Sequence, residues 1–260
     1  MGMLDDRAAA VTGAASGLGL AIAAALAAEG ARVCMADLNE EAGHAAVERL
    51  RREGRRVAFT HVDVADPASA RQMIDTTMAA FGRLDVLVNN AGLQHISPIV
   101  DFPEERWNYL LSVLLTGTFL CTKYALPHMI RSGWGRVINV ASAHGLVASP
   151  FKAAYVAAKH GVVGFTKVAA WEVAAHGITV NAICPGYVRT PLVERQIADQ
   201  ARVHGIPESE VVARVMLEPQ AVKRLLEPPE IGAMAVYLCS DAASVVTGTA
   251  LPIDGGWTAR

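Results

Sequence analysis

Tyr155 and Lys159 lie four residues apart in Ala-Tyr-Val-Ala-Ala-Lys-His-Gly, a spacing that stacks both side chains on one face of a helix. A phenol beside an ammonium can exchange a proton near neutral pH. Free tyrosine ionises near pH ~10, and an adjacent positive charge favours the phenolate. Each tenfold gain in acidity requires about 1.4 kcal/mol of differential interaction. Ser142 stands just past the apolar run Val137-Ile-Asn-Val-Ala141 and could donate to an oxygen held against that phenol. Tyr-x-x-x-Lys alone also describes two ordinary helix residues, so the elements around it decide.

The first of those elements is a glycine turn. Ala8-Ala-Ala-Val-Thr12 reads as a strand leading into Thr12-Gly-Ala-Ala-Ser-Gly-Leu-Gly19, then a helix to Glu29 with Gly30 after its end. In that context backbone N–H groups and the helix dipole can hold a pyrophosphate, with Gly13, Ser16, Gly17, Leu18 and Gly19 as candidates. The spacing is Gly-x-x-x-Gly-x-Gly, not the commoner Gly-x-Gly-x-x-Gly, and a plain tight turn is the competing reading. A second strand, 32–36, ends at Asp37, about twenty residues after the glycines. A carboxylate there accepts hydrogen bonds from both ribose hydroxyls of an adenosine and repels a 2′-phosphate, which favours NAD over NADP. Alternatively, Asp37 caps the helix that starts at Asn39-Glu-Glu.

Further strands are expected at 57–62, 84–88, 136–141, 178–183 and 248–253, helices from Pro67 and Pro228, and a long helix over about 104–131. A charged, weakly amphipathic stretch from Thr190 to about Met216 follows Pro185-Gly186. It reads as a mobile substrate lid over 187–218, or as a peripheral surface helix. Strands and helices alternate throughout. This predicts a single doubly wound α/β domain over 1–260, a Rossmann-type parallel sheet of about seven strands with helices on both faces.

Composition narrows the function class. The 260 residues are 52% hydrophobic with net charge −2, which suits a large core and excludes disorder. Nothing in that balance attracts nucleic acid or an anionic membrane. Cys34, Cys121, Cys184 and Cys239 lie in apolar runs without C-x-x-C spacing, as buried free thiols in a reducing compartment would; no metal site is assigned. No secretory leader precedes Leu4, no uninterrupted apolar run reaches about 18 residues, and Asp6 rules out a myristoylation signal. A soluble cytoplasmic protein is expected.

The set Thr12-Gly-x-x-x-Gly-x-Gly19, Asn89-Asn-Ala-Gly92, Ser142, Tyr155-x-x-x-Lys159 and Pro185-Gly186 resembles the short-chain dehydrogenase/reductase family across essentially the whole chain. The resemblance implies a three-layer Rossmann domain, B-face hydride transfer to a nicotinamide cofactor and, usually, a homotetramer. It implies Tyr155 as the acid–base, Ser142 as the anchor of the substrate oxygen, and Lys159 as the group that lowers the tyrosine pKa and binds the nicotinamide ribose. By the same resemblance Asp63 and Val64 flank the adenine, Asn90 the adenosine-side ribose, and Val188 and Thr190 the carboxamide.

Leu93-Gln94-His95, Ser142-Ala-His-Gly-Leu-Val-Ala148, Val188-Arg-Thr-Pro-Leu-Val193 and Asp254-Gly-Gly-Trp-Thr-Ala-Arg260 are similar to the family's bacterial D-3-hydroxybutyrate dehydrogenase branch. That likeness implies a carboxylate held by Gln94, His144, Lys152 and Gln196, a pocket walled by Tyr187 and Trp257, and exchange of D-3-hydroxybutyrate with acetoacetate on NAD. A small 3-hydroxy acid offers only a charge and a hydroxyl to grip, which a lysine with several donors suits. The alternatives are another small 3-hydroxy acid or secondary alcohol, or an NAD-binding relative with impaired catalysis. The last arises because Leu114 stands where the family usually has an Asn that kinks the long helix and holds a proton-relay water. Leucine neither donates nor accepts, and Ser112 lies on a different face. Tyr187 stands where the close relatives have Trp.

Overall fold

A computed structural model describes residues 2–259; Met1 and Arg260, the ends of the domain expected over 1–260, lie outside the described residues. The strands are β1 (Ala8–Thr12), β2 (Arg32–Asp37), β3 (Val57–His61), β4 (Val86–Asn89), β5 (Gly135–Val140), β6 (Ile178–Pro185) and β7 (Ala250–Ile253). They form one parallel sheet in the order β3-β2-β1-β4-β5-β6-β7. The strand order reverses between β1 and β4, so a crevice opens there beyond the carboxyl ends of the strands. The helices are α1 (Gly17–Ala28), α2 (Glu40–Arg52), α3 (Pro67–Phe81), α4 (Glu104–Leu111), α5 (Gly117–Ser132), α6 (Ala153–Val173), α7 (Pro191–His204), α8 (Glu208–Val211) and α9 (Pro228–Cys239).

Successive strand residues point to opposite faces, and here both faces are apolar and covered. Val11, Val33 and Val88 pack on one side with Ile22 and Leu26 of α1 and Ile231 and Leu238 of α9. Ala10, Leu87 and Val137 pack on the other with Met73 and Ile74 of α3 and Met129 of α5. All four cysteines are buried and unpaired. Asn39, not Asp37, caps α2, its side chain accepting from the Ala42 N–H at 3.0 Å.

The long helix expected over 104–131 is interrupted. Ser112–Thr116 forms a π-helical turn between α4 and α5. Leu114, in its centre, is 1% exposed and packs with Leu110, Ala154 and Ala158. Thr118 Oγ1 donates to the Leu114 carbonyl at 2.8 Å. An apolar side chain and a hydroxyl cap therefore sustain the widened turn without an asparagine. Although Glu104–Ser132 is long and apolar enough to cross a membrane, it packs against α3 and α6 as a core element.

Candidate active site

A cleft of about 370 Å³ lies beyond the carboxyl ends of β1, β4, β5 and β6. Its dinucleotide-like end is the glycine turn, where Gly13 and Gly17 adopt φ of 65° and 54°. A Cβ on Gly13 would lie 2.9 Å from Asn90 Nδ2. That nitrogen donates to the carbonyls of Thr12 (2.9 Å) and Gly13 (3.2 Å), so Asn90 braces the turn as well as bordering the cleft. Gly13, Ser16, Gly17 and Leu18 line the cleft; Gly19 does not. Gly19 instead faces the Gly13 carbonyl, where a Cβ would fall at 2.1 Å, and its smallness lets α1 begin against the turn.

Asp37 accepts from the N–H groups of Ala15 (2.9 Å) and Asn39 (3.0 Å) while its carboxylate borders the cleft. Asp63, Val64, Val188 and Thr190 also line the cleft. A crowded glycine cradle, a helix N-terminus and a carboxylate at the end of β2 fit a dinucleotide.

β5 delivers the catalytic candidates. Beyond it Ser142 Oγ accepts from the His144 N–H at 3.1 Å and hydrogen-bonds the Tyr155 phenol. Lys159 Nζ donates to the Val140 carbonyl at 2.6 Å and lies 5.6 Å from the centre of the Tyr155 ring. The expected acidic phenol is not produced by these side chains alone. Burial raises the Tyr155 phenol above its ordinary range, opposed by the Ser142 hydrogen bond, and pushes Lys159 down to about 8. The apolar wall that positions the pair also strips water from both charged forms.

The other end of the cleft gathers Gln94, His144, Lys152, Tyr187, Gln196 and Trp257. Lys152, 2% exposed, donates from Nζ to Tyr187 Oη at 2.8 Å, and burial pushes it down to about 7. Tyr187 stacks on Trp257 at 5.7 Å between ring centres, and His144 meets Trp257 edge-on at 4.9 Å. Burial, then the charges of Lys152 and His160, hold His144 well below its ordinary pKa, so its ring is neutral. Gln196 Nε2 donates to the Leu192 carbonyl at 3.0 Å, leaving its buried Oε1 without a partner.

Local structure aims these groups. Phe151, at φ 67°, is a left-handed non-glycine residue immediately before Lys152. Its ring packs on His204 of α7 at 5.4 Å and its carbonyl accepts from the Ser97 N–H at 3.0 Å, which holds the strained turn in place. Trp257 follows Gly255 and Gly256, at φ 64° and 83°, and the Asp254 carboxylate gathers the N–H groups of Gly256 and Thr258. Within the stretch 187–218, Ala201, Val211 and Met216 form a small core with Tyr187 and Trp257, so this segment covers the cleft's end. Tyr109 and Arg195 also line the cleft, and neither belongs to a sequence motif that marks the site. Arg195 is the neighbour of Gln196 on α7, and that adjacency is the one available clue.

Comparison with known proteins gives the family. A family model of short-chain dehydrogenases, described as Enoyl-(Acyl carrier protein) reductase, matches residues 13–258. A D-beta-hydroxybutyrate dehydrogenase of Cupriavidus necator is 47% identical over 258 residues, covering 99% of this chain and 100% of its own. This chain is a short-chain dehydrogenase/reductase. A second relative of this dehydrogenase, the D-beta-hydroxybutyrate dehydrogenase of Rhizobium meliloti, is 46% identical over 260 residues, covering 97% of this chain and 98% of its own. Among solved structures, a single-substitution variant of actinorhodin polyketide ketoreductase with NADPH matches with a TM-score of 0.95 at 35% identity over the whole of both chains. The dehydrogenase is accordingly an oxidoreductase that takes a nicotinamide dinucleotide.

Proposed function

We propose that this short-chain dehydrogenase interconverts D-3-hydroxybutyrate and acetoacetate with NAD. The observation that carries the reading is a buried lysine that lines the same cleft as Asp37, Ser142 and Tyr155. Lys152, with the amides of Gln94 and Gln196, holds the carboxylate. Ser142 Oγ donates to the C3 oxygen, and Tyr155 Oη takes its proton in oxidation and returns it in reduction. Bound dinucleotide supplies the hydride acceptor. Lys159, fixed on the Val140 carbonyl, holds positive charge near the phenol while protonated. Asp37 at the adenosine end supports NAD over NADP. The full-length likeness to two D-beta-hydroxybutyrate dehydrogenases supports the substrate.

Phe119, Val168 and Trp171, at 44%, 57% and 88% exposure on α5 and α6, support assembly through that helix pair into a homotetramer. Four buried free thiols suit a cytoplasmic protein. Tyr187 supports a second reading, another small 3-hydroxy acid or a secondary alcohol, because it changes the shape and polarity of the substrate end. The test is NADH formation from resolved D- and L-3-hydroxybutyrate, with NADP as a parallel cofactor. The D isomer with NAD is expected to react fastest; no absorbance change with it, in protein that binds NAD, refutes the reading.

A further inference from the structure

Lys152 and Tyr187, at the substrate end, carry hydrogen-bond donors that no protein acceptor among the described residues receives. In its protonated form Lys152 Nζ carries three N–H donors and no acceptor. One donor goes to Tyr187 Oη at 2.8 Å, and among the described residues no other protein acceptor receives the rest. The ammonium cannot accept the phenol's own proton, and no described residue does so either. Lys152 and Tyr187 are 2% and 6% exposed, yet both border the cleft. Tyr187 cannot swing away freely: Trp257 stacks on it with an interplanar angle of 8°, and Trp257 is itself edged by His144. His144 adds no charge, and its nitrogens face Ser142 Oγ (3.4 Å) and Ser149 Oγ (3.0 Å). The remaining N–H groups of Lys152 and the O–H of Tyr187 therefore form a donor-only cluster without a protein acceptor. The ligand complementary to such a cluster is acceptor-only and negatively charged, as a carboxylate is.

We infer that Tyr187 and Lys152 form one anion-holding unit, in which the Tyr187 hydroxyl both rests the ammonium and donates its own proton to the substrate carboxylate. Tyr187 is thus a specificity determinant for acids over neutral alcohols. The inference deepens the proposed reaction and depends on it only for the identity of the carboxylate. The experiment measures butyrate and butyramide affinity of the NAD-loaded protein by calorimetry, in wild type, Tyr187→Phe, Lys152→Gln and the double variant. Retained NAD binding shows that each variant is folded. In wild type butyrate is preferred, and Tyr187→Phe lowers that preference about tenfold, as loss of a charge-assisted hydrogen bond does. In the Lys152→Gln background the same substitution lowers it less than about twofold, because the unit is already broken. An unchanged preference in Tyr187→Phe, an equal loss in both backgrounds, or a wild type that does not distinguish butyrate from butyramide overturns the inference. If the preference and its coupling appear while D-3-hydroxybutyrate yields no NADH, the proposed reaction fails and this inference stands.

Discussion

Replacing Lys152 by methionine separates the stability of this protein from its function. Lys152 is 2% exposed, and its hydrogen-bond partner is a neutral phenol rather than a carboxylate. Burial moves its ionisation from 10.5 to about 7. At about 1.4 kcal/mol for each tenfold change, that displacement corresponds to about 5 kcal/mol charged against folding when the amine is protonated. Below about pH 7 both folded and unfolded chains hold the proton, and the whole cost is present. Between about 7 and 10.5 the unfolded chain holds a proton that the folded chain lacks, so wild-type stability rises with pH. Above that range the cost is gone. Methionine fills a similar volume without the charge. Lys152→Met is therefore expected to exceed wild type by about 2–4 kcal/mol at about pH 6, and by less than about 1 kcal/mol near pH 10. Urea unfolding followed by fluorescence at a series of pH values measures the difference. In the same variant kcat/KM for 3-hydroxybutyrate is expected to fall at least about 100-fold, because a buried charge partner of the carboxylate is lost. A stability difference that stays constant with pH, or a methionine variant less stable than wild type in acid, would refute the argument.

Three further outcomes are expected. Tyr155→Phe lowers kcat by about 10²–10⁴, the span of a lost acid–base group, with NAD affinity by calorimetry changed less than about twofold; retained oxidation would remove Tyr155 from the chemistry. Asp37→Ala lowers the ratio of kcat/KM with NAD to that with NADP by at least about tenfold, through lost hydrogen bonds and lost repulsion. An unchanged ratio there would leave Asp37 only as the brace of Ala15. Leu114→Asn places an amide among Leu110, Ala154 and Ala158 and costs about 2–4 kcal/mol, seen as a lowered Tm, while kcat rises less than about tenfold. A large rise in kcat would show that leucine had impaired the enzyme.

What could be read from the sequence was whatever depends on near neighbours along the chain. Alternating and continuous apolar runs marked seven strands, because side chains on a strand alternate between two faces that both need cover. Glycines marked the turn before α1, because they adopt the left-handed φ of 65° and 54° at Gly13 and Gly17 without the Cβ clash that other residues meet there. The four-residue step from Tyr155 to Lys159 placed both on one face of α6, near the end of β5.

Only the tertiary structure decided how those residues behave. Tyr187 and Lys152 are 35 residues apart in the chain, and no local pattern foretells that one rests on the other. Phe151 is held left-handed by His204, which arrives from α7. The π-turn at Ser112–Thr116 survives with leucine at its centre because α6 supplies Ala154 and Ala158 to pack against it. Gly19 serves helix packing rather than the cleft, a distinction set by where the Gly13 carbonyl lies. The ionisation of Tyr155 and Lys159 differs from what their adjacency suggested. Adjacency is local, but the loss of water that governs a buried charge is imposed by everything folded around it.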